Sequence, residues 1–134
     1  MATDSKIQIS ALSDDGDQRG FSFTLPDEAL QFLDGVEDIH IAAILPGAVR
    51  GNHFHQRRRE ILLFQYVGEW SFHWDNGPNT PTQHRSFQGA GTMLIKILPG
   101  ASHAVRNDGA QTLTLMAACS EPYDPQDSIP RKVL

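Results

Sequence analysis

Short runs rich in β-branched and aromatic residues recur along the chain between clusters of Gly, Pro, Asn and Asp. They fall at Lys6–Ser10, Gly20–Leu25, Asp38–Leu45, Glu60–Val67, Glu69–Trp74, Gln83–Phe87, Gly91–Leu98, Ala104–Arg106 and Gln111–Ser120. Many short strands at even spacing, with turn residues between them, predict an all-β sandwich or barrel. One segment departs from this texture. Pro26–Leu33 opens with Pro and two acids and is followed by Gly35, the signature of a short helix. Asp75-Asn76-Gly77-Pro78, Gly89-Ala90-Gly91, Pro99-Gly100 and Asn107-Asp108-Gly109 read as turns. Glu60–Val67 is apolar on both faces, which predicts a strand lying between two layers or beneath a partner subunit. The stretch Glu121–Leu134 reads as an extended tail.

Composition narrows the class. A chain of 134 residues with 40% hydrophobic content fills one core, so residues 1–134 are expected to form a single domain. With 11 Lys+Arg against 16 Asp+Glu the formal net charge is -5, which gives no electrostatic reason to expect nucleic acid or anionic membrane as a partner. The single cysteine, Cys119, is expected to be a small buried hydrophobe and suits a reducing, cytoplasmic setting. The stretch Met1–Lys6 shows no basic segment leading into an apolar core, and the apolar runs elsewhere are too short to span a bilayer.

The candidate chemistry is concentrated between Gly47 and Glu60. If His53 and His55 share a strand, its two-residue period turns both imidazoles to one face as a chelating pair. Glu60 opens the next strand after a short basic loop, and a hairpin there returns its carboxylate toward the rings. His103, beside the Pro99-Gly100 turn, offers a third imidazole. Three histidines and one glutamate suit Fe, Mn, Ni, Co, Cu or Zn and not Ca or Mg. Any one strand histidine is usually a packed or solvent-facing residue, so the weight rests on the joint pattern.

The joint pattern resembles the cupin superfamily. In its first motif, Gly47, His53, His55 and Glu60 stand in register and Gly68 arrives one residue late; in its second, Gly100, His103 and Asn107 fit, with Pro99 and Gly91 each displaced by one. The resemblance implies a double-stranded β-helix, the cupin jelly-roll barrel, with one short helix. It also implies His53, His55, Glu60 and His103 as ligands of a divalent transition metal such as Zn, Fe, Mn or Ni, with Glu60 able to act as a base instead. Asn52 and Gln65 are candidates to orient a ligand from behind.

Shorter matches point to a subgroup. Arg50-Gly51-Asn52-His53-Phe54-His55 and Asp17-Gln18-Arg19-Gly20, in that family's order, are similar to segments of the sugar-nucleotide epimerase-like and ketoisomerase-like (RmlC-like) cupins, including the cupin part of capsular-sugar enzymes; Tyr123-Asp124-Pro125 is similar too. Rhamnose-type epimerases of this group work without a metal, using a histidine base held by an aspartate and a tyrosine acid; that His-Asp pair is not identified in this sequence, and the full ligand quartet points to a metal instead. The resemblance implies a metal-dependent isomerase or epimerase of a sugar-like hydroxycarbonyl substrate. A metal-dependent dioxygenase and a non-catalytic sugar- or metabolite-binding cupin are the alternatives. Arg50 is the arginine best suited to hold an anionic group of the substrate, with Arg57 as a second candidate beside Arg58 and Arg59 on a loop that a solvated hairpin tip also explains. If Glu60 faces the barrel interior, alternation turns Leu62, Phe64 and Tyr66 inward, which makes Tyr66 the phenol expected at the cavity and a second catalytic candidate. Phe54, Trp70, Phe72 and Trp74 suit a cavity wall or core, and His40, His73 and His84 carry no assigned role. The two-faced strand and the proline-rich tail predict a strand-exchanged homodimer.

Overall fold

Glu60–Val67 (β4) occupies the middle of the first of two sheets. In the computed structural model, which describes residues 5–134, this sheet also contains Ile7–Ala11 (β1), Asp38–Ile44 (β2), Ala90–Ile97 (β7) and Leu113–Cys119 (β9). Its order is β1-β7-β4-β9-β2. The second sheet is built from Val49–Phe54 (β3), Trp70–Trp74 (β5), Gln83–Phe87 (β6), His103–Asn107 (β8) and Ile129–Pro130 (β10), in the order β10-β3-β8-β5-β6. The pairings are antiparallel throughout. Two such sheets face to face form the jelly roll. Met1–Asp4, within the stretch Met1–Lys6 read above, lie outside the described residues. Among the described residues, no helix is long and apolar enough to cross a membrane.

The apolar character of both β4 faces has a cause within the chain. Leu62, Phe64 and Tyr66 join Trp70, Phe72, Phe87, Ile95 and Leu115 in the core between the sheets. Ile61, on the other face, packs with Leu94 and Ala118 beneath Ala29 and Leu33 of the helix Asp27–Leu33 (α1). The helix therefore covers the start of β4. Farther along, Val67 is exposed on the same outer face.

Three segments differ from the sequence expectation. Gly20–Leu25 is not a strand: it finds only an isolated bridge between Asp17 and Gly20, and Phe21 stays exposed. The run Val49–Phe54, valued for its chemistry, is a full strand. Its register against β8 shifts between Gly51 and His53, so Asn52, at φ 58, is the extra residue of a bulge. A Cβ at Gly51 would lie 2.4 Å from the His103 carbonyl oxygen. That approach requires glycine and brings β3 against β8 at the site. The tail is also more ordered than predicted, with a 3-10 turn at Pro125–Asp127 and the short strand β10.

Asn52 fastens that tail. Its side-chain oxygen accepts from the Val133 and Leu134 amides at 2.9 and 3.1 Å. Arg131 adds a two-pronged contact to Asp75 at 2.7 and 2.8 Å and lies over the Phe54 ring. Asn52 is thus a bulge former and a tail clamp. Gln65, the other residue considered as a ligand orienter, faces outward into a groove on the far side of the first sheet.

One end of the barrel is closed by aromatic stacking. Trp70 lies between Phe64 and Phe87, with ring centroids 4.2 Å away on each side, and is fully buried. Replacing Trp70 with alanine removes the middle of this stack and leaves a cavity, so chemical denaturation should show a loss of about 3–5 kcal/mol. A loss under about 1 kcal/mol would mean that the stack contributes little beyond its area.

Candidate functional site

Strand register assembles the opposite end. His53 is the residue paired with His103 across β3 and β8, and Glu60 is the first residue of β4. His55 follows β3, where its carbonyl accepts from the Gly100 amide at 2.8 Å. The turn from His55 to Glu60 is held by Asp127, whose carboxylate accepts from the Gln56 amide at 2.8 Å and the Arg57 amide at 3.4 Å.

The four side chains converge. Ring centroids of His53 lie 4.9 Å from His55 and 5.1 Å from His103. One nitrogen from each of the three rings lies within 4.8 Å of the others. Glu60 approaches His103 Nε2 at 3.3 Å and His55 Nε2 at 3.9 Å. His55 Nδ1 lies 2.5 Å from the Asp127 carbonyl oxygen, and His103 Nδ1 lies 3.1 Å from that of Ala101. Each Nδ1 faces a backbone carbonyl, which turns Nε2 toward the centre and toward Glu60.

Burial and neighbouring charge keep this cluster poised. Desolvation, helped by His103 and His55, pushes His53 from 6.5 down to about 4. Burial lowers His55 as well. Burial alone would raise Glu60, but the hydrogen bond from His103 and the charge of His103 and His55 bring it down to about 2. Imidazole nitrogens beside an ionised carboxylate are a donor set suited to a first-row divalent metal. The donor nitrogens, already turned inward, fit such an ion.

Of the residues expected at the site, His53, His55, Glu60 and His103 are brought together. Arg50 stands at the rim of a cavity of about 480 Å³ that also includes His53, Glu60 and His103, with its Nε donating to the Ala43 carbonyl at 2.7 Å. Arg57 does not join them: its guanidinium forms an exposed ion pair with Asp124 of the tail. Tyr66 is the larger correction. It does face inward, but six residues along β4 from Glu60 is about 20 Å at strand rise, and its ring packs edge-on to Trp70 and Phe87. Alternation determines which face a side chain takes but not which end of the barrel. His73 and His84 stack on each other across β5 and β6, away from the quartet.

Several neighbours carried no clear sequence signal. Arg58, from the supposedly solvated loop, is buried with Nη1 3.9 Å from Glu60 and 3.5 Å from Cys119 Sγ. The Cys119 thiol donates to Glu60 at 3.4 Å, and burial together with that carboxylate pushes it up to about 12. Asp38 and His40 look into the same opening from β2. For these two the period of the strand was the available signal, since Asp38, His40 and Ala42 fall on one face.

Residues 16–129 match the family described as polysaccharide biosynthesis C-terminal domain. The chain belongs to this family. Comparison with curated proteins finds no match. Among solved structures, this polysaccharide biosynthesis C-terminal domain is similar to ChmJ, a 3'-monoepimerase from Streptomyces bikiniensis in complex with dTDP-quinovose, at TM-score 0.74 and 17% identity, covering 92% of this chain and 68% of that one. It is similar to QdtA, a sugar 3,4-ketoisomerase from Thermoanaerobacterium thermosaccharolyticum in complex with TDP, at TM-score 0.70 and 15% identity over 95% and 89% of the two chains. CapF, a capsular polysaccharide assembling protein from Staphylococcus aureus, matches at TM-score 0.66 and 20% identity over 92% of this chain and 33% of CapF. At these identities the likeness establishes the jelly-roll fold of RmlC-like cupins.

The shifts carry a pH consequence with a definite sign. His53 binds a proton more weakly when folded, about 4 against 6.5, so stability present above pH 6.5 is lost as pH falls toward 4. Glu60 acts in the same direction at lower pH, between 4.5 and about 2. Denaturant midpoints of the metal-free protein should therefore fall between pH 6.5 and 4, and His53→Asn should flatten that step. An unchanged step in the variant would assign the acid sensitivity to other groups.

Proposed function

We propose that this domain is a metal-dependent epimerase or isomerase of a hydroxycarbonyl sugar, in the form of a sugar nucleotide. The observation that carries the reading is the quartet, with two Nε2 atoms fixed by backbone carbonyls and an ionised Glu60 between them. Support for the substrate class comes from the family match and from fold relatives solved with dTDP-quinovose and TDP. A divalent ion such as Zn, Fe, Mn or Ni, held by His53, His55, Glu60 and His103, would supply Lewis-acid polarisation of a carbonyl.

The chain's own groups divide the remaining work. Glu60, ionised down to about pH 2, is too weak a base to move a proton near neutrality, and its role is to hold positive charge. The imidazoles keep their orientation through the Asp127 and Ala101 carbonyls. Arg50, exposed at the rim, is available to steady a phosphate with its guanidinium.

The oligomer and location belong to the same proposal. On the edge strand β2, Ile39 and Ile41 are 61% and 73% exposed, which supports a homodimer seam; light scattering that shows only monomer at micromolar concentration would remove it. A buried free cysteine supports a cytoplasmic setting.

Elemental analysis of tag-free protein beside the His53→Ala, His103→Ala double variant tests the metal. Near-stoichiometric metal, lost in the variant, is expected. In deuterium oxide with TDP-4-keto-6-deoxyglucose as probe, proton NMR should show deuterium entering the carbon next to the carbonyl. Oxygen uptake without exchange would favour a dioxygenase, and tight binding without either would favour a sugar-binding cupin.

A further inference from the structure

A carboxylate can meet a metal ion through one oxygen or through both, and the groups behind it decide which. The two oxygens of Glu60 stand in unlike surroundings. Oε1 faces the quartet, 3.3 Å from His103 Nε2. Oε2 lies 3.9 Å from His55 Nε2 and accepts from the Cys119 thiol at 3.4 Å, with Arg58 Nη1 3.9 Å away. The thiol and the guanidinium thus both address Oε2.

Backbone pairing fixes both donors. Cys119 stands opposite Glu60 in the register of β4 and β9, so the strand ladder itself sets the thiol against the carboxylate. Arg58 lies on the loop before β4, which is tied to the end of β9: the Ser120 amide donates to the Arg59 carbonyl at 3.0 Å, and the Arg59 amide donates to the Ser120 hydroxyl at 2.8 Å. The Arg58 guanidinium donates from Nη2 to the Pro122 carbonyl at 3.4 Å and from Nη1 to Cys119 Sγ at 3.5 Å. A relay therefore runs from Pro122 through Arg58 and Cys119 to Oε2. Arg58, Glu60 and Cys119 are 4%, 4% and 0% exposed, so water does not compete for these contacts.

Neither residue is placed as a ligand itself. The donor nitrogens of His53, His55 and His103 cluster together, whereas the Cys119 sulfur gathers with Asp38 and His40, where the Arg58 guanidinium 3.5 Å from Sγ opposes a second cation. We propose that Cys119 and Arg58 are positioning residues that hold Glu60 by Oε2 and leave Oε1 as the oxygen presented to a divalent ion. A carboxylate tied in this way takes one position on the ion and keeps the others open for substrate oxygens. Without the donors behind it, Oε2 is free to turn toward the ion as a further ligand, which fills a position and changes the ligand field.

This inference rests on the metal reading above, and cobalt(II) alone as the probe separates the two. Wild type, Cys119→Ala, Cys119→Ser and Arg58→Met are compared for cobalt affinity by competition with a chelator. Visible absorption of the cobalt forms reports the number and symmetry of the ligands, and denaturation of the metal-free proteins is the folding control. Cys119→Ala should lose ~10-fold in cobalt affinity, the loss expected when a group that orients a ligand is removed, and its visible bands should shift. Cys119→Ser, which keeps a donor in place of the thiol, should stay within ~2-fold of wild type with unshifted bands. Arg58→Met should follow Cys119→Ala; if it does not fold, the two Cys119 variants decide. A Cys119→Ala protein that matches wild type, or a Cys119→Ser protein that loses as much as alanine does, overturns the positioning role and leaves the metal site standing. So does a near-ultraviolet sulfur-to-cobalt band in the wild type, which would make Cys119 a ligand. No cobalt binding by the wild type overturns both.

Discussion

A carboxylate buried without compensation is among the costliest groups a small fold can carry, and Glu60 is 4% exposed at one end of the barrel. Its compensation comes from His103, His55, Arg58 and Cys119, which reach it from β8, the loop after β3, that same loop and β9. These contacts tie strands of both sheets to one charge. Removing a partner from such a network leaves charge uncompensated, which is why the site and the fold at this end are not separable.

The barrel has two unlike ends. At one, Phe64, Trp70 and Phe87 stack and Tyr66 closes against them. At the other, polar groups face an open cavity. The closed end contributes apolar burial that offsets the cost of the polar one, an exchange common to functional sites. The C-terminal segment belongs to the polar end. Asp127 positions His55 and the loop behind it, and Arg131 bonds to Asp75, whose carboxylate also accepts from the Ser102 amide next to His103. A stretch that reads as a tail thus orients His55 from behind and braces the turn that precedes His103.

Much of this was legible in the sequence. The strand runs at Glu60–Val67, Gln83–Phe87 and Gln111–Ser120 and the helix at Pro26–Leu33 correspond to observed elements, because alternation and turn residues act locally. His53, His55 and Glu60 could be singled out by their spacing, and His103 because the resemblance to the cupin motifs implies it; the expected hairpin is absent, since β3 and β4 lie in different sheets and the chain crosses between them. The segment Gly20–Leu25 misled, since its aromatic residues suit a strand but a strand also needs a neighbour, and only the bridge at Asp17 and Gly20 forms.

What lay beyond the sequence depended on distance through space. A strand's period determines face, so Tyr66 was correctly turned inward, but its separation from Glu60 along β4 sends it to the aromatic end. Arg57 and Arg58 are adjacent and chemically identical, yet one pairs with the tail in solvent and the other is buried beside Glu60. Asp38 and His40 line the same opening as the quartet because β9 pairs with both β2 and β4. The sequence by itself determined most of the strands, their faces and the candidate ligand residues, because those follow from neighbours along the chain. Tertiary structure decided which charges share a low-dielectric pocket and which groups face one another across it, because pairing between distant strands sets those distances.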